Sequence, residues 1–162
     1  MKRLAFFGLR DRDAILTSDN LIFRVYGYVH PPNSYICDPE YAPASIFRSK
    51  EPEAYRAKGR QVYYKFFADE GLRFVMEKCP RYMVWHASLH RNMVGVAHDH
   101  IARTKQPSET LRSLLRKRPK DLLVQALTSL LDLVNQRSGP HESDFGVFGS
   151  LLHGFYHPMF SD

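Results

Sequence analysis

The stretch Asp144-Phe145-Gly146-Val147-Phe148-Gly149-Ser150-Leu151-Leu152-His153-Gly154-Phe155-Tyr156-His157-Pro158-Met159-Phe160-Ser161-Asp162 is the most informative part of this chain. Its apolar start, Phe145 to Phe148, predicts a short strand. Gly149-Ser150 predicts a tight turn, and Leu151-Leu152 opens an apolar segment of one or two helical turns before Gly154. Phosphoryl chemistry has a use for such an order. Glycine lets the backbone approach a phosphate closely, and the N–H groups at a helix start face negative charge. Ser150 adds a hydroxyl to the same phosphate or to its metal. A carboxylate arriving about a dozen residues later, Asp162, would hold Mg²⁺ against a triphosphate. A Gly-Ser pair alone is unspecific; the apolar run before it, with Gly154 and Asp162 after it, makes the pattern.

Upstream, Asp121–Gln136 reads as the clearest helix, with Leu123, Leu127, Leu130, Leu131 and Val134 on one stripe, widened by Leu122, Val124 and Ala126. Pro107 to Lys117 predicts another helix, with Ser108 as its N-cap and Leu111, Leu114 and Leu115 facing inward. A domain seam is expected between Ile101 and Pro119. The front half reads differently. Ala14 to Tyr26 predicts a β-hairpin turning at Asp19-Asn20, ended by Gly27 and Pro31-Pro32. Residues 33–60 read as irregular because Pro39, Pro43 and Pro52 interrupt any long element. Gln61 to Phe67 reads as a strand. Asp69 to Cys79 reads as a helix capped by Asp69, with Leu72, Val75 and Met76 on its inner face. Residues 82–86 and 93–97 read as short strands, and residues 4–7 as another.

The 162 residues are 44 % hydrophobic and 13 % aromatic, which excludes a disordered class and predicts an aromatic-rich core. No apolar run approaches the roughly 20 residues of a membrane span, and Met1 to Gly8 does not read as a secretory signal. A soluble, cytoplasmic protein without membrane contact is expected. The two cysteines, Cys37 and Cys79, lack paired metal spacing and are expected as buried free thiols.

The formal net charge of +6 favours polyanionic partners. Arg56, Lys58, Arg60 and Lys65 alternate with Tyr55, Tyr63, Tyr64 and Phe66, a composition suited to single-stranded nucleic acid. Arg112, Arg116, Lys117, Arg118 and Lys120 form a second cluster. The plain alternative for both is ordinary surface charge around aromatic core residues. Eight histidines raise a metal site built from His86, His90 and His98 or His100, but the strand-like pattern from Val84 to Val96 disfavours it. Arg10-Asp11-Arg12-Asp13 reads as a salt-bridged turn positioning the hairpin, and His30 as a hydrogen-bonding ring across the Pro31-Pro32 loop.

The segment from Phe148 to Asp162 resembles the hGS…DhD signature of the polymerase-beta nucleotidyltransferase superfamily. Gly149 and Ser150 match its Gly-Ser, and Asp162 matches its first carboxylate by spacing; the second would fall two residues beyond Asp162. More narrowly, the chain resembles a group of archaeal nucleotidyltransferase-like proteins. The matching residues are Arg10-Asp11-Arg12-Asp13, Leu21-Ile22-Phe23, Gly27-Tyr28-Val29-His30-Pro31-Pro32, Val94-Gly95-Val96 and Phe145 to Ser150. The resemblance implies transfer of NMP from NTP to a hydroxyl acceptor, with Gly149 and Ser150 on the triphosphate and Asp162 as catalytic residue and Mg²⁺ ligand in a full-length enzyme. Because two-metal phosphoryl transfer needs both carboxylates, the 162-residue chain by itself is expected to be inactive.

The expected fold is α+β: a small mixed domain over residues 1–105, a helical connector over 106–138, and the first strand–turn–helix of a nucleotidyltransferase fold over 139–162. The competing functional expectation is a non-catalytic, basic RNA- or ribosome-binding protein.

Overall fold

Asn20 adopts φ +63, the left-handed conformation that asparagine tolerates, and there β1 (Ala14–Thr17) folds back on β2 (Ile22–Val25). Leu16 pairs with Ile22 and Ala14 with Arg24 in antiparallel register. Thr17 closes the turn twice, through its N–H to the Leu21 carbonyl at 2.9 Å and its hydroxyl oxygen, which accepts Leu21 N–H at 3.1 Å. The computed structural model describes residues 8–117, 121–136 and 139–156, so the expected strand at 4–7 lies outside the described residues. The fold is mixed α+β, in two units, Met1–Thr104 and Lys105–Asp162.

The first unit contradicts the irregular reading of residues 33–60. Ser34–Pro43 is a ten-residue strand, β3, at the centre of the sheet. One edge of β3 pairs with β2 from Cys37 to Tyr41. Its other edge pairs with β7 (Arg91–Ala97) through Ser34–Ile36 and with β5 (Gln61–Lys65) through Tyr41–Pro43. Pro39 is tolerated because the register slips there: Ile22 faces Tyr41 while Phe23 faces Pro39, leaving Glu40 as an extra residue. A bulge interrupts the ladder where proline has no N–H to give. The strand is buried along nearly its whole length, so it lacks the alternation that announces a half-exposed strand.

β4 (Tyr55–Lys58) pairs with β5, β6 (Met83–His86) pairs with β7, and β8 (Ile101–Lys105) lies beside β1. Among the described residues, the path β4-β5-β3-β2-β1-β8, with β7 and β6 branching from β3, makes an eight-stranded sheet. β5, β6 and β7 follow the sequence expectation closely. Helix α1 (Glu70–Lys78) is also as expected, and Val75 is buried as expected, but Gly71 is buried beside it, whereas Leu72 and Met76 are exposed. A Cβ on Gly71 would stand 3.0 Å from the Pro39 side chain, so the glycine lets α1 lie close against β3. Asp69 makes no capping hydrogen bond and pairs with Arg73 instead.

Aromatic rings do furnish this core. Phe23 packs on Tyr82 at 5.1 Å between centroids, and Phe47 on Phe66 at 4.5 Å. Cys37 and Cys79 are buried free thiols, and burial raises the pKa of both. Trp85 stands outside the core and is exposed.

In the second unit, α2 (Pro107–Lys117) begins with proline in its first turn, so Ser108 lies inside the helix and is not its cap. Helix α3 (Leu122–Gln136) is capped by Asp121, whose Oδ1 accepts Val124 N–H at 2.9 Å. Leu111, Leu131 and Val147 form the buried centre, flanked by Leu114, Leu115, Leu127, Phe145 and Leu151. Of the expected stripe, Leu131 is buried, as is Val124 on its widened edge, whereas Leu122 and Leu130 are exposed.

Candidate functional site

The Gly-Ser turn departs from expectation on one side and meets it on the other. Residues 145–148 form no strand: Val147 donates its N–H to the Pro107 carbonyl at 3.2 Å, not to a neighbouring strand. Gly146 makes this possible. A Cβ there would lie 2.5 Å from the Pro107 side chain and 2.8 Å from its carbonyl carbon, so only glycine fits against the start of α2. A strand needs a hydrogen-bonding partner, and among the described residues none lies beside this segment. Phe148 is nonetheless extended (φ −132, ψ −177), and Gly149 then turns the chain at φ +59 into α4 (Gly149–His153).

Helix α4 is one turn long and firmly ended. Gly154 adopts φ +70, Phe155 N–H donates to the Ser150 carbonyl at 3.0 Å, and Gly154 N–H donates to the Leu151 carbonyl at 3.2 Å. That pair of bonds is a Schellman motif. The Lys105 ammonium lies 3.3 Å from the Leu152 carbonyl and 3.4 Å from that of His153, placing a cation where the helix ends negatively. Leu152, His153 and Phe155 are buried, which anchors the turn from below, while Gly149 and Ser150 are half-buried. A Cβ added at Gly149 would meet nothing within 4 Å, so its glycine serves backbone conformation and leaves open space above it. Asp162 lies outside the described residues, as do Arg118 and Lys120.

The cross-strand register sorts the basic residues of the β4–β5 hairpin. Tyr55 faces Tyr64 and Ala57 faces Val62 on one side; Arg56 faces Tyr63 and Lys58 faces Gln61 on the other. Tyr55 and Tyr64 thus lie on the face opposite Arg56 and Lys58, whereas Tyr63 shares the basic face. Arg56 is committed within the fold, donating from Nη1 to the Tyr55 carbonyl at 2.9 Å and to the Glu53 carbonyl. Lys65 carries its ammonium over the Phe67 ring at 5.1 Å. Lys58 and Arg60 are exposed at the hairpin end, around Gly59 at φ +59. On α2, Arg112, Arg116 and Lys117 are exposed, and Arg116 Nε donates to the Arg112 carbonyl at 3.4 Å.

The front motif is structural. Asp11 accepts Gly27 N–H at 2.7 Å, Asp13 accepts Arg10 N–H at 3.0 Å, and Arg12 pairs with Asp11. Together they hold the loop after β2 against the chain entering β1. His30 Nδ1 accepts Ile36 N–H at 3.2 Å across the Pro31-Pro32 loop, and burial lowers its pKa against a smaller opposing effect from the Gly27 backbone. His86 and His90 do not share a helix face, because His86 ends β6 and a short 3₁₀ turn, Ala87–Leu89, separates it from His90. His98 packs on Tyr35 at 5.1 Å and His100 on Tyr82 at 5.7 Å. The described residues gather no group of three His, Cys, Asp or Glu side chains able to hold a metal ion.

One shallow groove of about 320 Å³ lies in the first unit, lined in part by Asn20, Ser45, Arg60, Gln61 and Tyr63. The sequence reading missed it because residues 43–45 were read as part of an irregular loop. No described helix is long and apolar enough to cross a membrane. Comparison with protein-family models, curated proteins and solved structures finds no match to this chain.

Proposed function

We propose that the Gly149-Ser150 turn is the triphosphate-facing element of a polymerase-beta-like nucleotidyltransferase, which moves NMP from NTP to a hydroxyl acceptor. The observation that carries this reading is the pairing of Gly149 at φ +59, with open space above it, and a one-turn helix ended by Gly154. Here the buried anchors Leu152 and Phe155 hold the turn rigid from beneath, and the half-buried Ser150 stands beside the glycine. Backbone N–H groups and a hydroxyl on a fixed support are the means by which a protein positions a transferring phosphate. The short helix contributes little dipole; local hydrogen bonding supports the reading.

Mg²⁺, when bound in such an enzyme, neutralises the triphosphate and positions its oxygens. Asp162 is the ligand this chain would offer.

Calorimetric titration of the chain with ATP and Mg²⁺ tests the reading. Binding that weakens about fivefold in Ser150→Ala is expected for the loss of one phosphate hydrogen bond. Absence of ATP binding by the unaltered chain would overturn it.

A further inference from the structure

We infer that the outer face of helix α3 joins two copies of this chain as an antiparallel helix pair, with Leu122 of each copy packed on Leu133 of the other. The inference goes beyond the nucleotide reading and does not depend on it.

Residue type divides α3 into two halves. With about 100° of turn per residue, an unbroken apolar arc of about 200° runs from Leu122 round to Val124. The rest of the circumference holds Gln125, Thr128, Ser129, Asp132, Asn135 and Gln136, all polar. A helix packed on one side needs an apolar stripe of only roughly 100°. The core of its own unit uses the part around Val124, Leu127 and Leu131. The other part is left uncovered: Leu122, Leu130 and Leu133 are 67, 57 and 61 % exposed, and Ala126 between them is exposed as well.

The order of residues along this face suits a second copy of itself. In a two-fold interface, if one residue touches another, the second must also touch the first. Leu122, Ala126, Ser129 and Leu133 stand four, three and four residues apart, the seam spacing of paired helices, and that order reads the same from either end. A two-fold axis midway between Leu127 and Thr128 sets Leu122 against Leu133 of the second copy and Ala126 against its Ser129. The small central residues let the helix axes approach closely, and Leu130, beside the seam, covers them.

Charge favours the same occupant. The chain carries a formal net charge of +6, yet Leu122–Gln136 contains no cation and a single carboxylate, Asp132, off the seam. Two copies therefore meet here without like charges opposed. The antiparallel arrangement also lays the positive start of each helix beside the negative end of the other. A membrane surface would call for basic residues on the polar face, and α3 has none. The contact is modest: a helix about 22 Å long buries less than the roughly 800 Å² per partner of a standard interface, so the dimer dissociates on dilution.

Sedimentation equilibrium of the 162-residue chain tests the proposal. Across about 5 to 500 μM, a range suited to an interface below standard size, the average mass should rise from 18.8 kDa towards twice that value. Leu133→Glu and Leu122→Lys should each weaken association about tenfold, because each buries an unpaired charge. An equimolar mixture of the two variants should regain most of the loss, since the antiparallel register brings the opposite charges together. A parallel pair would keep them at opposite ends. Leu130→Ser, a milder change on the same face, should weaken association about threefold. Tyr28→Ser, at an exposed aromatic of the first unit, should leave association unchanged. Thermal midpoints in dilute solution should stay close to the parent's, since every altered side chain is exposed.

A parent chain that stays at 18.8 kDa throughout would overturn the proposal. So would association indifferent to Leu133→Glu and Leu130→Ser, or a mixture no tighter than its two components. ATP binding by a monomeric chain would sink this inference and leave the nucleotide reading standing; a dimer that ignores ATP would do the reverse.

Discussion

The Asp121 carboxylate serves two partners at once, with Oδ1 accepting Val124 N–H at 2.9 Å and Oδ2 accepting the Tyr156 hydroxyl at 2.9 Å. One side chain therefore caps α3 and ties down the chain leaving α4. Asp121→Ala should lose about 1 kcal/mol for the cap and a further contribution for the Tyr156 bond. Tyr156→Phe should lose about 1 kcal/mol for the bond alone. The double variant should be no less stable than Asp121→Ala, because the two changes remove the same bond. Urea unfolding of the three variants checks this; fully additive losses would show that the Tyr156 contact contributes nothing.

Gly95 sits in β7 opposite Ile36, and a Cβ there would fall 2.5 Å from both the Tyr35 carbonyl oxygen and the Val84 side chain. The backbone contact cannot be relieved by a rotamer change. Gly95→Ala should destabilise the first unit by about 2 kcal/mol through overpacking, seen as a lower urea midpoint. A neutral or stabilising result would mean that β7 lies farther from β3 than described.

His30 holds its loop only as a neutral ring, because Nδ1 must accept from Ile36 N–H at 3.2 Å. Burial lowers its folded pKa below the ordinary value of 6.5. The sign follows from linkage: the unfolded chain binds this proton more readily, so the stabilisation is complete above pH 6.5 and is lost as pH falls towards the folded pKa. NMR titration of the His30 ring should give a pKa below 6.5, with the proton of the neutral ring on Nε2, and Ile36 amide protection should fall in the same range. A ring pKa at or above that value would contradict the burial argument.

Legibility of the fold in the sequence varied with the kind of signal. The Asp19-Asn20 turn between two β-branched and aromatic runs identified the first hairpin, because turn chemistry is local and Asn20 indeed adopts φ +63. The strand β3 escaped because proline was read as a terminator. At Pro39 a bulge supplied by the neighbouring strand's register removes the need for its N–H, and that bulge is a property of the pair. The inner face of α1 was misread for a similar reason. Hydrophobicity selected Leu72 and Met76, whereas contact with β3 selects the absence of a side chain at Gly71.

At the candidate site, Gly149 and Gly154 were legible as conformational markers, and both have positive φ. The strand expected before them was inferred from an apolar run, which can equally be buried as extended chain against a helix start; Gly146 on Pro107 does so here. For the basic clusters, spacing along the chain could not reveal that pleating separates Tyr55 and Tyr64 from Arg56 and Lys58. Nor could it reveal that Arg56 is occupied by backbone carbonyls.

The most direct test of the nucleotide reading is a ¹⁵N-labelled amide map of the chain titrated with ATP and Mg²⁺. The account predicts saturable shifts centred on Gly149, Ser150 and Leu151, weakened in Ser150→Ala. An unchanged map at these three amides, or shifts confined to other residues, would contradict it.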